Sequence, residues 1–166
     1  MRGKSLVLSG LLPFVALVLI FAQGAKPDFS GVWNLDKDKS EMGGGSGGGP
    51  GGGPRMMSPS MTIEHKDPQL IIKRKFEFQG EERTQESKYT TDGKPNTNEG
   101  YRGRSVKSKT YWDGDKLVTE ATRETPQGTF ETKEIYSLSE DGKTLTIETS
   151  RVGASGPSRK SVYSKQ

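Results

Sequence analysis

Three arginines fall on the apolar side of their strand-like segments, and they are the strongest candidates for binding chemistry. Arg74, for example, alternates with Ile72 and Phe76, whereas the lysines fall mostly on the opposite side. A guanidinium group binds a carboxylate or phosphate through paired hydrogen bonds and tolerates burial better than an ammonium group. Two tyrosines could add hydroxyl donors. The predicted ligand-binding residues are Arg74, Arg123, Tyr136, Arg151 and Tyr163.

A purely structural role for the same arginines stays open. Arginines near strand ends can extend to the rim of a barrel, pair with Glu134, or lie over the ring of Trp33 in a cation–π contact. Trp33 and Trp112 themselves are expected in the core rather than on a ligand surface.

Patterns for catalysis and metal binding are weak. The chain has no cysteine and one histidine, His65, so it lacks a thiol nucleophile and the residues for a histidine metal site. The charged run 36–41 lacks the glycine and the glutamate that a calcium loop requires. Glu120 is expected to point away from Glu134, so the two cannot form a two-carboxylate hydrolase site. The sequence predicts no enzyme activity, no metal and no cofactor.

Residues 1–24 have the layout of a secretory signal segment. Arg2 and Lys4 supply the positive start, an apolar run extends to Ala22, and small residues precede a predicted cut after Gly24. An uncleaved anchor is the alternative, because the run approaches the length of the shortest membrane-spanning helix. The segment predicts a secreted or periplasmic protein that contacts a membrane only through this signal.

Removing this segment changes both charge and hydrophobicity. The formal charge falls from +4 to +2 because Arg2 and Lys4 leave, and nearly a third of the apolar residues leave with them. So small a charge attracts a phosphate backbone weakly, which argues against nucleic acid as a partner. Without cysteines, strand pairing and a small core must hold the fold. We expect a monomer.

The mature chain divides into three parts. Residues 25–42 contain a first strand at 29–35 and then a charged exit loop. Residues 43–60 form a flexible loop rich in glycine and proline, since such a tract cannot recover the entropy lost on ordering. Residues 61–166 alternate polar and apolar side chains between turn signals about ten residues apart, which is typical of an antiparallel β-meander.

This meander is predicted to hold eight strands, which with the first strand makes nine. Asp113-Gly114, Asp141-Gly142 and the turn at 126–128 are hairpin signals, whereas 91–96 is a loose polar loop. The chain is therefore predicted to be all-β, an antiparallel up-and-down barrel of about eight or nine strands. The predicted strands of the meander are 61–66, 69–78, 83–90, 104–112, 116–125, 128–138, 143–152 and 158–164.

The sequence resembles the calycin group of barrels, which includes lipocalins and intracellular fatty-acid-binding proteins. Gly31-Val32-Trp33 near the predicted mature N-terminus and Val162-Tyr163 near the end carry this resemblance. The phrases at 29–36, 91–94 and 139–147 are still more similar to small secreted bacterial lipocalin-like domains of uncharacterised function. The resemblance implies a barrel and an exported protein, but no activity.

Two departures from fatty-acid-binding proteins shape the functional hypothesis. The glycine tract occupies the place of their helical lid, and Ser161 stands where the resemblance would put the arginine of a carboxylate-binding Arg-x-Tyr, so only Tyr163 carries over. The preferred hypothesis is an exported lipocalin-like protein that holds a small amphipathic or anionic molecule in the barrel interior. The alternative is a non-catalytic envelope protein with a packed barrel that contacts other macromolecules.

Overall fold

The computed structural model describes residues 26–41, 58–78, 80–100, 103–126, 128–153 and 158–166. No α-helix occurs among them. The chain forms ten strands: β1 Gly31–Glu41, β2 Ser60–Lys66, β3 Gln69–Phe78, β4 Glu81–Thr90, β5 Asp92–Glu99, β6 Ser105–Asp113, β7 Lys116–Thr125, β8 Gly128–Leu138, β9 Thr144–Arg151 and β10 Arg159–Lys165.

The ten strands make one antiparallel sheet that curls into a near-closed barrel. Their order is β4-β3-β2-β1-β10-β9-β8-β7-β6-β5, so every pair but β1–β10 joins strands that are consecutive in the chain. β1 and β10 pair through Trp33↔Lys165 and Leu35↔Tyr163, which brings the two ends of the described chain together. The predicted all-β antiparallel barrel is confirmed, with ten strands rather than eight or nine.

Two segments predicted as loops are strands, and both predictions were wrong for the same reason. Residues 36–41 continue β1, with an irregular register between Asp36 and Glu41. Residues 92–99 form β5, which pairs with β6 across a second irregularity between Asp92 and Pro95. Both segments are polar on both faces, so they lack the alternation that marks a half-buried strand. Backbone pairing with a neighbour holds them nonetheless.

The register assigns one face of every strand to the interior. Ile63 opposes Ile72, Leu117 opposes Tyr136, and Tyr136 opposes Ile147, so the apolar residues of neighbouring strands share the inner face. This agrees with the alternation read from the sequence. The buried core cluster is Phe29, Trp33, Met61, Ile63, Leu70, Ile72, Leu117, Tyr136, Leu145, Ile147 and Tyr163.

The two edge strands, β4 and β5, meet along a seam that side chains bridge. The backbone N–H of Lys88 donates to Oδ1 of Asn98 (2.7 Å), and Nδ2 of Asn98 donates back to the carbonyl of Lys88 (2.9 Å). Gln85 adds a bond from Nε2 to the carbonyl of Glu99 (3.0 Å). One asparagine amide therefore supplies the donor and the acceptor that a neighbouring strand backbone would normally offer.

Several predicted features lie outside the described residues. They include the signal segment 1–24, most of the glycine-rich tract and Gln127 of the predicted turn at 126–128. The last residue of the tract, Ser60, already belongs to β2. No helix in the described part of the chain is long and apolar enough to span a membrane.

Candidate functional site

The inner face is apolar at one end of the barrel and mixes polar, charged and apolar residues toward the other end. Across β6, β7 and β8 the cross-strand register arranges inner-face residues in rows. Along β7, burial falls from the fully buried Leu117 to the exposed Arg123. We call the end of the barrel at the row Trp112–Leu117–Tyr136 the closed end, and the opposite end the open end. The successive rows are Trp112–Leu117–Tyr136, Thr110–Thr119–Glu134, Ser108–Ala121–Thr132 and Val106–Arg123–Phe130.

Arg74, Glu134 and Tyr136 form a hydrogen-bonded group that spans the interior, which we call the polar bridge. Nη2 of Arg74 donates to Oε2 of Glu134 (3.1 Å) and to the hydroxyl of Tyr136 (2.7 Å). The Tyr136 hydroxyl in turn donates to Oε2 of Glu134. β3 and β8 are not neighbours in the sheet, so these bonds cross the barrel lumen.

The polar bridge is deep at its tyrosine and accessible at its charges. Tyr136 is 2% exposed, whereas the side chains of Arg74 and Glu134 are 26% and 27% exposed. Burial raises the pKa of Tyr136 well above its usual value, an effect that the Arg74 charge opposes. Tyr136 and Glu134 raise the pKa of Arg74 against the effect of burial. The bridge therefore keeps a charged guanidinium and a protonated phenol throughout the physiological pH range.

The five predicted binding residues separate into two groups. Tyr163 is buried on the inner face, and the charge of Arg74 partly offsets the rise that burial causes in the pKa of Tyr163. Arg74 contacts Tyr136 directly, and Tyr163 belongs to the same buried cluster as Tyr136. Arg123 and Arg151 share the inner face but lie exposed at the open end, where the Arg151 guanidinium lies 3.9 Å from the ring centroid of Phe130.

The alternative of a purely structural role for the arginines holds for one of its predicted contacts and not for another. Arg74 does pair with Glu134, as that alternative proposed. The cation over Trp33 is Lys165, with Nζ 5.3 Å from the ring centroid, and not an arginine.

Buried hydroxyls next to the polar bridge complete the polar part of the interior. The hydroxyls of Thr110 and Thr119 bond to each other at 2.9 Å and are both buried. Ser108, one row nearer the open end, is 5% exposed, and its Oγ has no hydrogen-bond partner within the described structure. Ser108 and Thr110 alternate with Lys107 and Lys109 in the sequence, which predicts an inner-face position for both, but nothing in the sequence marks them as site residues.

The closed end is sealed by aromatic rings and by a charged group that sequence reasoning missed. The ring of Phe29 lies 6.0 Å from Trp112 and 6.5 Å from Tyr136 between centroids. Asp67 accepts hydrogen bonds from the indole nitrogen of Trp112 (3.0 Å), from Lys26 (3.3 Å) and from the hydroxyl of Thr91. These bonds come from distant parts of the chain, so sequence alone gave no signal for them.

His65 is buried in this seal. Its Nδ1 accepts the backbone N–H of Phe29 at 3.4 Å, and its Nε2 is buried without a partner in the described structure. The ring also packs against Phe29 and Trp112. Burial lowers the pKa of His65 below its usual value of 6.5, although the carboxylates of Asp28 and Asp67 act in the opposite direction.

Folding stability is expected to fall as the pH drops below about 6.5. Because the folded state lowers the pKa of His65, a proton binds more tightly to the unfolded chain. The contribution is complete above the unfolded pKa and is lost as the pH falls through the folded pKa. Urea unfolding midpoints at about pH 7.5 and pH 5 measure it. His65 is the only histidine, so a His65→Phe variant should show a weaker dependence in this window; an unchanged dependence would contradict the assignment.

A concavity lies on the outside of the barrel. It is an open groove of about 560 Å³ on the outer face of β6 and β7. Its charges are mixed, from Arg104, Lys107 and Glu124. In the described part of the chain, no three His, Asp or Glu side chains come together as a metal site requires.

Three solved structures similar to this barrel are named as a fatty acid transporter, a fatty-acid-binding protein and a lipid-binding protein. The REP1-NXSQ fatty acid transporter aligns with a TM-score of 0.59 at 14% identity, over 83% of this chain and 96% of that one. A fatty-acid-binding protein from brain tissue of Drosophila melanogaster aligns with a TM-score of 0.58 at 21% identity, over 82% and 99%. Lipid-binding protein 8 of Caenorhabditis elegans gives 0.59 at 12%, over 83% and 95%.

The chain has the fold of the fatty-acid-binding proteins. No protein-family model and no curated protein matches the sequence, so the similarity is one of architecture. Within the fatty-acid-binding-protein fold, the described interior differs from what the resemblance implied for a carboxylate site. The guanidinium whose charge acts on the pKa of Tyr163 belongs to Arg74 on β3, and the residue two positions before Tyr163 on β10 is Ser161.

Proposed function

We propose that this protein binds a small amphipathic molecule in the open half of the barrel. The polar bridge carries this proposal. It crosses the lumen above a fully packed core, and the inner face beyond it is lined by short side chains, Ser108, Ala121 and Thr132. A barrel meant only to be packed would fill that row with large apolar side chains.

The chemistry of the open half suits a molecule with polar and apolar parts. Phe76, Val106 and Phe130 are half-buried inner-face residues that can contact an apolar chain. The polar bridge offers hydrogen bonds at one end of this space, and Arg123 and Arg151 offer positive charge at the other. An anionic group on the ligand would lie beside these two arginines. Binding and release need no catalytic residue.

Export belongs to the same proposal. Residues 1–24 direct the chain across a membrane and are then removed, so the protein works in the periplasm or outside the cell. The signal layout and the absence of cysteine from the sequence support a protein folded by strand pairing alone after export.

Native mass spectrometry of the full chain expressed with its leader tests the proposal. The protein recovered from the cell envelope or medium should have the mass of a chain that begins at Ala25 and should carry one amphipathic molecule that denaturation releases. Arg74→Leu should lower occupancy about tenfold or more, because hydrogen bonds to charged groups contribute about 1.5–3 kcal/mol. Arg123→Leu should lower it only for ligands with an anionic group.

Lys73→Gln is the matched control, because Lys73 precedes Arg74 on β3 and pairs with Glu64 on the outer face. Its occupancy should equal that of the unchanged protein. A barrel that is empty after purification and binds no added amphiphile would overturn the proposal. The alternative, a packed barrel that contacts other macromolecules, would then be favoured.

A further inference from the structure

The charges of the polar bridge are already balanced without a ligand. The guanidinium of Arg74 faces the carboxylate of Glu134 at 3.1 Å, and Tyr136 hydrogen-bonds to both. Among the described residues, Arg74 is the cation that pairs with Glu134. The bridge therefore presents a neutral ion pair to the open half of the barrel, and not an unmatched positive charge.

A carboxylate placed against this bridge meets unfavourable electrostatics. It would have to share Arg74 with Glu134 or displace it, and either arrangement leaves one carboxylate partly buried beside another. A neutral group such as an alcohol or a primary amide avoids this conflict, because it can donate to a carboxylate oxygen while accepting a hydrogen bond elsewhere.

Neighbouring hydroxyls favour the same kind of ligand. Ser108 Oγ is buried without a partner in the described structure, and a buried polar atom in that state destabilises the protein until something bonds to it. Its row is adjacent to that of Glu134, with Thr110 and Thr119 beside it. A hydroxyl or amide on a ligand could satisfy Ser108 from the lumen.

We infer that the group a ligand places against the polar bridge is a neutral hydrogen-bonding group, an alcohol or a primary amide, and not a carboxylate. This inference rests on the proposed interior binding and specifies its head group. Anionic groups, where a ligand has them, are left to Arg123 and Arg151 at the open end. The two ends of the binding space thus differ in the charge that they accept.

Calorimetric titration with decan-1-ol and with decanoate at about pH 8 tests the inference. The Arg123→Leu/Arg151→Leu protein serves as the background, because it removes the arginines that could hold decanoate in the reverse orientation. In this background decan-1-ol should bind about tenfold or more tightly than decanoate. Adding Glu134→Gln should tighten decanoate binding about tenfold or more, because Arg74 then lacks its carboxylate partner.

Glu131→Gln is the matched control, since Glu131 lies on the exposed outer face of the same strand and should change neither affinity. Decanoate binding as tight as that of decan-1-ol in the background protein, or unchanged by Glu134→Gln, would overturn the inference and leave interior binding intact. Failure of the unsubstituted protein to bind either compound would instead overturn the proposed function, and the inference with it.

Discussion

Replacing Trp33 with alanine is expected to lower the free energy of unfolding by about 3–5 kcal/mol. Trp33 is 0% exposed in the core, and its indole nitrogen donates to the carbonyl of Phe29 at 3.0 Å. The substitution creates a cavity and removes the bond that fixes the segment sealing the closed end. Urea unfolding followed by far-ultraviolet circular dichroism measures the loss.

Val32→Ala provides the comparison for this substitution. Val32 neighbours Trp33 in β1 but points outward and is 39% exposed, so its truncation should cost less than about 1 kcal/mol. Similar losses of unfolding free energy in the two variants would contradict the prediction that Trp33 stabilises the core. A small domain with few apolar residues is only marginally stable. Trp33→Ala should therefore leave an appreciable unfolded fraction even without urea.

Breaking the polar bridge from one side is expected to destabilise the protein more than removing both charges. Arg74→Met leaves Glu134 partly buried without its cation, and Glu134→Leu leaves Arg74 without its anion. Each should cost about 1–3 kcal/mol, below the range for fully buried pairs because both side chains are about a quarter exposed. The double variant Arg74→Met/Glu134→Leu should lose less stability than either single variant, because no charge is then left without its partner.

The outer-face pair Lys73–Glu64 is the control for this double-mutant cycle. Its atoms approach to 2.6 Å, closer than those of Arg74 and Glu134, but both side chains are exposed. Solvent screening should hold its coupling energy to less than about 1 kcal/mol. If the cycle for Arg74 and Glu134 gives no larger coupling than this, the bridge does not hold the two sides of the barrel together.

Alternation allowed most of this fold to be predicted from the sequence. Wherever one strand face meets the core, a period of two specifies both the strand and its orientation, which is why Ile72, Ser108 and Tyr136 were placed on the inner face correctly. The Asp-Gly pairs at 113–114 and 141–142 predicted hairpin turns at the correct places, and Gly114 and Gly142 both have positive φ values. β5 was not predicted as a strand, because its two faces are equally polar.

Position along the barrel axis could not be predicted in the same way. Alternation states which face a residue occupies, but not how far from the packed end its row lies. Arg74 and Arg123 therefore looked equivalent in the sequence, although one reaches Glu134 across the lumen and the other is exposed at the open end. Their difference depends on which rows of distant strands face each other across the lumen, and that is a property of the closed barrel.

The seam between β4 and β5 has a consequence for how copies of this protein behave at high concentration. Edge strands usually offer free backbone groups on which a second chain can add a strand, the first step toward aggregates. Asn98 occupies both backbone groups of Lys88, and charged side chains such as Glu86 line the same edge. Because the amide of Asn98 is a side chain and not a continuing strand, a second molecule finds no further backbone groups there with which to pair.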